Sequence, residues 1–434
     1  MLFNSTRDKN ISKTLSECIQ LGLSPDGGLF VPSNFSTLLS RGLTAGSSEF
    51  NPDYSEFSAN LLRLFFKDDL LFPYLDKICH NAFNFSLPLN KINHNTFMLN
   101  LCCGPTLSFK DFGARFLAEC IHHMSTNFKT TIMVATSGDT GSAVASAFYE
   151  KENIQVILLY PKAKVSKKQE HQLTCWDKNI LSLAVDGTFD DCQKLVKDAF
   201  NDDFFKNTMH LSSANSINIG RLLPQICYYA YTSVKYVAQY NKSPGFIIPT
   251  GNLGNATAAF WAKEMGFPLR EIALSTNENK VLEDYIRTGV YKPRKSILTL
   301  ANAMDVGNPS NFERLASLFP TYELFKKNIS ITGVSNDKIK ETIKDIFHSY
   351  NTVICPHTAT AFYARKKLSQ EEPWIVVSTA DPCKFDDIIE PLIQKKVPIA
   401  PQMEELLKRD VHYKNIAPNL EEVKRCAADY FKLN

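Results

Sequence analysis

Lys110 lies in the string GPTLSFKDFG (Gly104 to Gly113), with Phe109 before it and Asp111 and Phe112 after it. An amine held among apolar groups gives up its proton more readily than one in water, because burial disfavours the charged form. A free lysine amine is what a Schiff base with an aldehyde cofactor needs. Taken singly, the string also fits a solvated lysine beside a helix start. Two glycine-bearing turns add to it. In TTIMVATSGDTGSAVASAF, Thr130 to Thr136 reads as a buried strand, Ser137 to Gly141 as a turn, and Ala143 to Phe148 as helix. In GFIIPTGNLGNATAAFWAKEMG, Phe246 to Ile248 reads as strand, Gly251 to Asn255 as turn, and Ala256 to Met265 as helix. Such a turn leaves unpaired N–H groups over a helix N-terminus, which favours anions. Glycine lets the backbone come close with no side chain in the way. Either turn alone is compatible with ordinary βα geometry; together with the lysine they form a more specific pattern.

The elements that must position these residues alternate between strand and helix. Strands are expected at Thr131, Gln155 to Tyr160, Ile180 to Val185 and near His210, with a helix over Asp190 to Phe200. Residues 216 to 400 repeat the alternation and carry the second turn. That pattern implies right-handed crossovers and a mostly parallel sheet. Ahead of it come an irregular loop, Thr44 to Pro52, and a helical, aromatic-rich segment, Phe57 to Ile78.

A chain of 434 residues suggests two or three domains. Its 44% hydrophobic and 21% charged residues fit a soluble globular protein. A net charge of +3 gives no broad basic footprint for nucleic acid, and the cluster Lys162 to Lys168 reads as a solvated helix start. No apolar run approaches the roughly 18 residues of a membrane span, and MLFNSTRDKNISK lacks the apolar core of a secretory signal. The eleven cysteines, odd in number and scattered, suggest reduced thiols in the cytoplasm. None has zinc-site spacing, so no metal is expected. Cys102 and Cys103 read as buried structural thiols.

The strings SFKDFG, ATSGDTGSA, ANSINIGRLLPQ and PTGNLGNATA follow one another in this order. Around them stand Ser5-Thr6-Arg7, LGLSPDGGLFVP (Leu21 to Pro32), AMDVGNPSNFER (Ala303 to Arg314), PHTATA (Pro356 to Ala361) and STADPCKF (Ser378 to Phe385). The set resembles the pyridoxal-phosphate (PLP) enzymes of the tryptophan-synthase β-like fold, fold type II. More narrowly, it resembles the threonine synthases of the bacterial and fungal type, from about residue 5 to about residue 390. The resemblance implies two open, mostly parallel α/β sheets with an extra N-terminal domain. Residues 1–85 would form that domain, and 86–125 with 214–400 the large PLP-binding domain. Residues 126–213 would form a smaller mobile domain and 401–434 a C-terminal helical tail.

The same resemblance implies roles. Lys110 would hold the PLP aldehyde and, once displaced by substrate, act as the proton-shuttling base. The backbone amides of Gly251, Asn252, Leu253, Gly254 and Asn255 would bind the cofactor phosphate. Ser137, Asp139 and Thr140 would lie beside the substrate carboxylate and the cofactor hydroxyl. Thr379 would hydrogen-bond the pyridine nitrogen, leaving it largely unprotonated. Ser216, Asn218 and Arg221 match positions that bind the second phosphate, that of the substrate O-phosphohomoserine; an arginine fork suits phosphate. On a helix, 218 and 221 lie one turn apart on one face. The structural alternative is a capped helix, with Ser216 or Asn218 on backbone donors and Arg221 paired at the surface. The implied reaction turns O-phosphohomoserine and water into L-threonine and phosphate, in a monomer or weak homodimer free of membrane and nucleic acid.

Two positions depart from the family pattern. Cys103 stands where a histidine usually precedes Gly-Pro-Thr, and Asp381 replaces a histidine near the pyridine partner. A carboxylate beside the ring would alter local proton affinities. The rival outcomes are a phospholyase releasing 2-oxobutanoate, ammonia and phosphate, and a non-catalytic sensor of phosphorylated amino acids. Lys110 argues against the sensor, since simple binding gains little from such a lysine.

Overall fold

In the computed structural model, residues 1–35, 52–124 and 129–433 are described. Three sheets organise them. At the amino terminus Leu2–Ser5 pairs antiparallel with both Ser12–Thr14 and Phe30–Pro32. The largest sheet runs in the order Ser330–Gly333, Ile272–Thr276, Gly245–Pro249, Trp374–Ser378, Thr96–Asn100, Leu89–Asn93. Only its last pair is antiparallel. The third sheet is parallel throughout, in the order Lys414–Ile416, Ile180–Val185, Ile154–Pro161, Thr130–Ala135, His210–Ser213.

The central strands Thr130–Ala135, Ile154–Pro161, Ile180–Val185 and Gly245–Pro249 are buried at every position. A parallel sheet covered by helices on both faces requires this, and it is why these segments read as mostly apolar runs, broken by Thr131, Gln155 and Ser182, rather than as alternating ones. The α/β reading and its parallel sheets hold. Two expectations needed change. The Phe57–Ile78 segment is not one helix: Tyr54–Leu62 and Leu75–Ala82 are separated by a 3-10 turn, Phe72–Tyr74. The first helix ends at Leu62, residues 63–71 run as turns with Asp68 in the left-handed region (φ 62°), and Pro73 stands in the 3-10 turn that leads into the second. The 401–434 tail is not purely helical either. Between the helices Pro401–Leu407 and Leu420–Phe431 it places a strand on the edge of the third sheet. Most of the Thr44–Pro52 loop lies outside the described residues.

Three helices meet where the chemistry is expected. The 22-residue Ile219–Tyr240 helix packs against both Lys110–Met124 and Gly254–Glu264. Gly113 sets the first of these contacts, since a Cβ there would lie 2.6 Å from the carbonyl oxygen of Arg221. Phe112, on the same turn, sits edge-on to Tyr54, Phe85 and Tyr228. Each such pair contributes about 0.5–1.5 kcal/mol beyond burial, and together they fix the roll of the Lys110 helix. Among the described residues, no helix is long and apolar enough to cross a membrane.

Candidate active site

Lys110 is the first residue of its helix. The turn before it is held by Asp111, whose carboxylate accepts from Thr106 N (3.0 Å) and Thr106 Oγ1 (2.6 Å). Phe109 N donates to Thr379 O at 3.0 Å, so the lysine is tied to the carboxyl end of strand Trp374–Ser378. Burial pushes the Lys110 amine down to about 8, and the positive Arg221 adds to the fall while Asp139 opposes it. A surface lysine would behave differently; this amine is partly free near neutral pH.

The carboxyl ends of four strands surround it. From Thr130–Ala135 come Ser137, Asp139 and Thr140; from His210–Ser213 come Ser216 and Arg221; from Gly245–Pro249 comes the turn Gly251–Asn255; from Trp374–Ser378 comes Thr379. All of them line one cavity with Lys110, in the position the α/β rule assigns to ligands. Gly251 is required there, because a Cβ would lie 2.8 Å from Met304 Cα. Leu253 takes the left-handed conformation (φ 61°) that caps the helix Gly254–Glu264. The turn thereby presents its amides over the helix start, where an anion is favoured.

Asn218 is the exception among the expected site residues. It is the N-cap of Ile219–Tyr240, accepting from Gly220 N at 2.9 Å. Its Nδ2 donates to Ile19 O and Ser213 O, each at 2.9 Å. It does not line the cavity, so the capped-helix alternative describes this residue and the shared helix face with 221 is not formed. Arg221 is not at the surface: it is 2% exposed, donates to Ala214 O, and leaves Nε without a partner. Burial pushes its guanidinium down to about 10. A buried cation with an idle donor is a station for an anion.

Several residues that the sequence reading left out line the cavity or hold its wall residues in place. Asp139 is ion-paired with Lys384 at 2.6 Å, both buried, and also accepts from Gln169 Nε2 at 3.0 Å. Lys384 is the main attraction that holds the Asp139 carboxyl below its ordinary value against the opposing effect of burial. His357 lines the cavity and accepts from Ala303 N at 3.1 Å. Arg314, fully buried, donates to Phe30 O, Ser216 O, Ile217 O and Asn311 Oδ1. Asn311 in turn donates to Ser216 Oγ (3.2 Å) and Asn252 O (3.0 Å). His357, Lys384 and Arg314 all fall in strings already singled out, but their neighbours are far off in sequence. No spacing signal could have assigned them.

The two departures lie outside the cavity wall. Asp381 caps the short turn Pro382–Phe385, accepting from Cys383 N at 2.8 Å. Cys103 is half-buried, rather than buried like Cys102, and its carbonyl accepts from Gln402. The basic cluster is a helix start, as expected, capped by Ser166, but Lys168 is not simply solvated: it pairs with Asp386 at 2.8 Å.

A second cavity, about 430 Å³, adjoins the first and shares Ala135, Asn215, Ser216 and Asn252 with it. Its far walls are Leu21 and Leu29 on one side and Val196 and Phe200 on the other.

Arg221 Nε, Asn255 Nδ2 and His357 Nδ1 are buried, unpartnered and on residues of the cavity wall. All three are nitrogen donors, so they call for an occupant rich in oxygen acceptors. A phosphorylated aldehyde meets that demand beside an amide-lined turn and a lysine of lowered proton affinity. PLP fits the residues present.

Fold and site together define a PLP-dependent enzyme of fold type II, and residues 84–380 match the family described as pyridoxal-phosphate dependent enzyme. Residues 2–83 match the threonine synthase N terminus, and 357–426 the threonine synthase C-terminal family. Threonine synthase of Buchnera aphidicola subsp. Baizongia pistaciae is 37% identical over 430 residues, covering 98% of this chain and 99% of its own. The crystal structure of threonine synthase from Escherichia coli superposes with a TM-score of 0.91 at 33% identity, covering 99% of this chain and 100% of that one. PLP-bound threonine synthase from Brucella melitensis gives 0.90 at 29%, covering 99% of each. The chain belongs to the threonine synthase family, and its cofactor is pyridoxal 5'-phosphate.

Proposed function

We propose that the protein converts O-phospho-L-homoserine and water to L-threonine and inorganic phosphate. The observation that carries this reading is the presence of two anion stations in one cavity with Lys110. One is the amide turn Gly251–Asn255, at a helix start; the other is Ser216 with the idle Nε of Arg221. A substrate with a phosphate of its own needs the second station as well as the cofactor's.

When bound, PLP supplies the electron sink. The chain's residues do the rest. Lys110 Nζ holds the cofactor and then carries protons to and from the substrate carbons, and a proton affinity near 8 suits both the accepting and the donating role. The amides of Gly251, Asn252, Leu253, Gly254 and Asn255 would hold the cofactor phosphate, and Thr379 would meet the pyridine nitrogen. Arg221 and Ser216 hold the substrate phosphate and stabilise it as it leaves. Ser137 and Thr140 would face the substrate carboxylate, and Asp139, fixed by Lys384 and Gln169, would face the cofactor hydroxyl. Phe189 and Met304 add apolar wall that limits water. Segment 126–213 would be the smaller domain that closes over the site. The free thiols suit a cytoplasmic setting.

The departures at Asp381 and Cys103 do not favour the lyase, since neither side chain lines the cavity. The test is product analysis with purified protein, PLP and O-phosphohomoserine. Threonine should appear one-for-one with phosphate; phosphate with 2-oxobutanoate and ammonia would replace this reading with the lyase.

A further inference from the structure

His357 is the second residue of the helix Pro356–Arg365, behind the N-cap Cys355. It is 2% exposed and packs edge-on to Phe385, with ring centres 5.1 Å apart. Its Nε2 lies 3.1 Å from Ala303 N. An amide N–H can only donate, so Nε2 must be the acceptor and cannot carry the ring proton. A neutral imidazole has one N–H, which therefore sits on Nδ1. Burial, reinforced by Lys384 and Lys110 and opposed by Asp139, pushes the imidazole down to about 4, so the ring is neutral at physiological pH.

Nδ1 is buried and has no partner. A buried donor left idle is an unfavourable arrangement unless something else fills the site. The residue lines the cavity beside Lys110, Asp139 and Thr379, and its clamp, Ala303, leads into Met304, against which Gly251 packs. We propose that His357 is a further binding residue of this site, whose Nδ1–H donates to an oxygen of the bound cofactor or substrate while Ala303 fixes the ring. The inference rests on reading this cavity as the cofactor and substrate site. It does not depend on which product is formed.

Nitrogen-15 histidine spectra of the whole enzyme test it, with the His357 resonance assigned through its contacts with the Phe385 ring. Three states are compared: cofactor-free, PLP-loaded, and PLP-loaded with an unreactive phosphonate analogue of the substrate. The expected result is a neutral Nδ1–H tautomer whose proton moves downfield and exchanges more slowly on loading. A change with PLP alone assigns the acceptor to the cofactor; a change only with the analogue assigns it to the substrate. A proton on Nε2, or no change in either state, overturns the proposal. As a second readout, His357→Phe should weaken the affinity for whichever ligand moved the signal by about 10- to 100-fold, with partial recovery in His357→Asn. Equal binding by the folded Phe variant would also overturn it. Failure of the product assay alone would leave these spectra unaffected, so the two readings fail separately.

Discussion

At the scale of single residues, the site turns on one amine and one buried guanidinium that line the same cavity. Lys110 is pulled down to about 8, first by burial and then by Arg221. Below that pH the free-amine fraction falls about tenfold per unit. Capture of PLP by the cofactor-free enzyme should therefore rise with pH and level off above about 8. Stopped-flow absorbance reads this directly; a rate still climbing at pH 10 would mean a solvated lysine. Arg221→Met should shift the plateau to higher pH, because removing a neighbouring positive charge raises the lysine's proton affinity. It should also raise KM for O-phosphohomoserine by about 10- to 100-fold, the worth of a charged hydrogen bond. Lys110 and the glycine turns were legible in the sequence because their chemistry needs adjacent residues. His357 and Lys384 were not, since each acts through partners tens or hundreds of residues away. Asn218 was misplaced for a related reason: an asparagine before a helix looks the same whether it binds phosphate or caps the backbone.

At the scale of elements, Arg314 joins parts that the sequence presents separately. Its guanidinium reaches Phe30 O in the N-terminal sheet, Ser216 O and Ile217 O before the Arg221 helix, and Asn311, which holds Asn252 in the phosphate turn. Both anion stations hang on this one side chain. Arg314→Lys keeps the charge but loses the planar fork, so PLP retention and KM for substrate should worsen together, each by about tenfold or more. Equilibrium PLP titration and steady-state kinetics measure the two. If only one changes, Arg314 is a local prop and not a link between stations. The buried parallel strands were readable because short, mostly apolar runs between turn signals have few other uses. The strand Lys414–Ile416 was hidden: three residues, two of them exposed, carry no period.

At the scale of the whole molecule, the two sides of the cleft are held differently. On one side the helix Lys167–Thr174 is bonded to the segment after strand Trp374–Ser378. Ser166 donates to Lys384 O and Lys168 to Cys383 O, while Gln172 donates to Thr106 O in the turn before Lys110. On the other side, the helix Phe189–Asn201 faces the N-terminal residues Leu21 and Leu29 across open volume. Segment 129–213 is anchored along this seam and by its helix Asp139–Phe148, which packs on Lys110–Met124, and the pair Asp139–Lys384 is buried in the seam. Breaking such a pair by removing one partner costs about 3–5 kcal/mol, so Lys384→Met should lower thermal stability markedly. The sign with pH follows from Asp139. With Lys384 present its folded proton affinity lies below the unfolded value of 3.8, so the pair stabilises above that pH and the gain is lost as pH falls through the folded value. Without Lys384, burial acts unopposed by its main counter-charge and penalises the carboxylate most at neutral pH. The stability gap between wild type and Lys384→Met should be widest near pH 7 and narrow toward pH 4. Adding Asp139→Asn should recover much of it at pH 7 by removing the stranded charge. Thermal melts of the three proteins across that range decide the matter. A gap that does not vary with pH, or no recovery in the double variant, would mean that Lys384 holds the seam by packing and by its bond to Thr106 O rather than by pairing with Asp139.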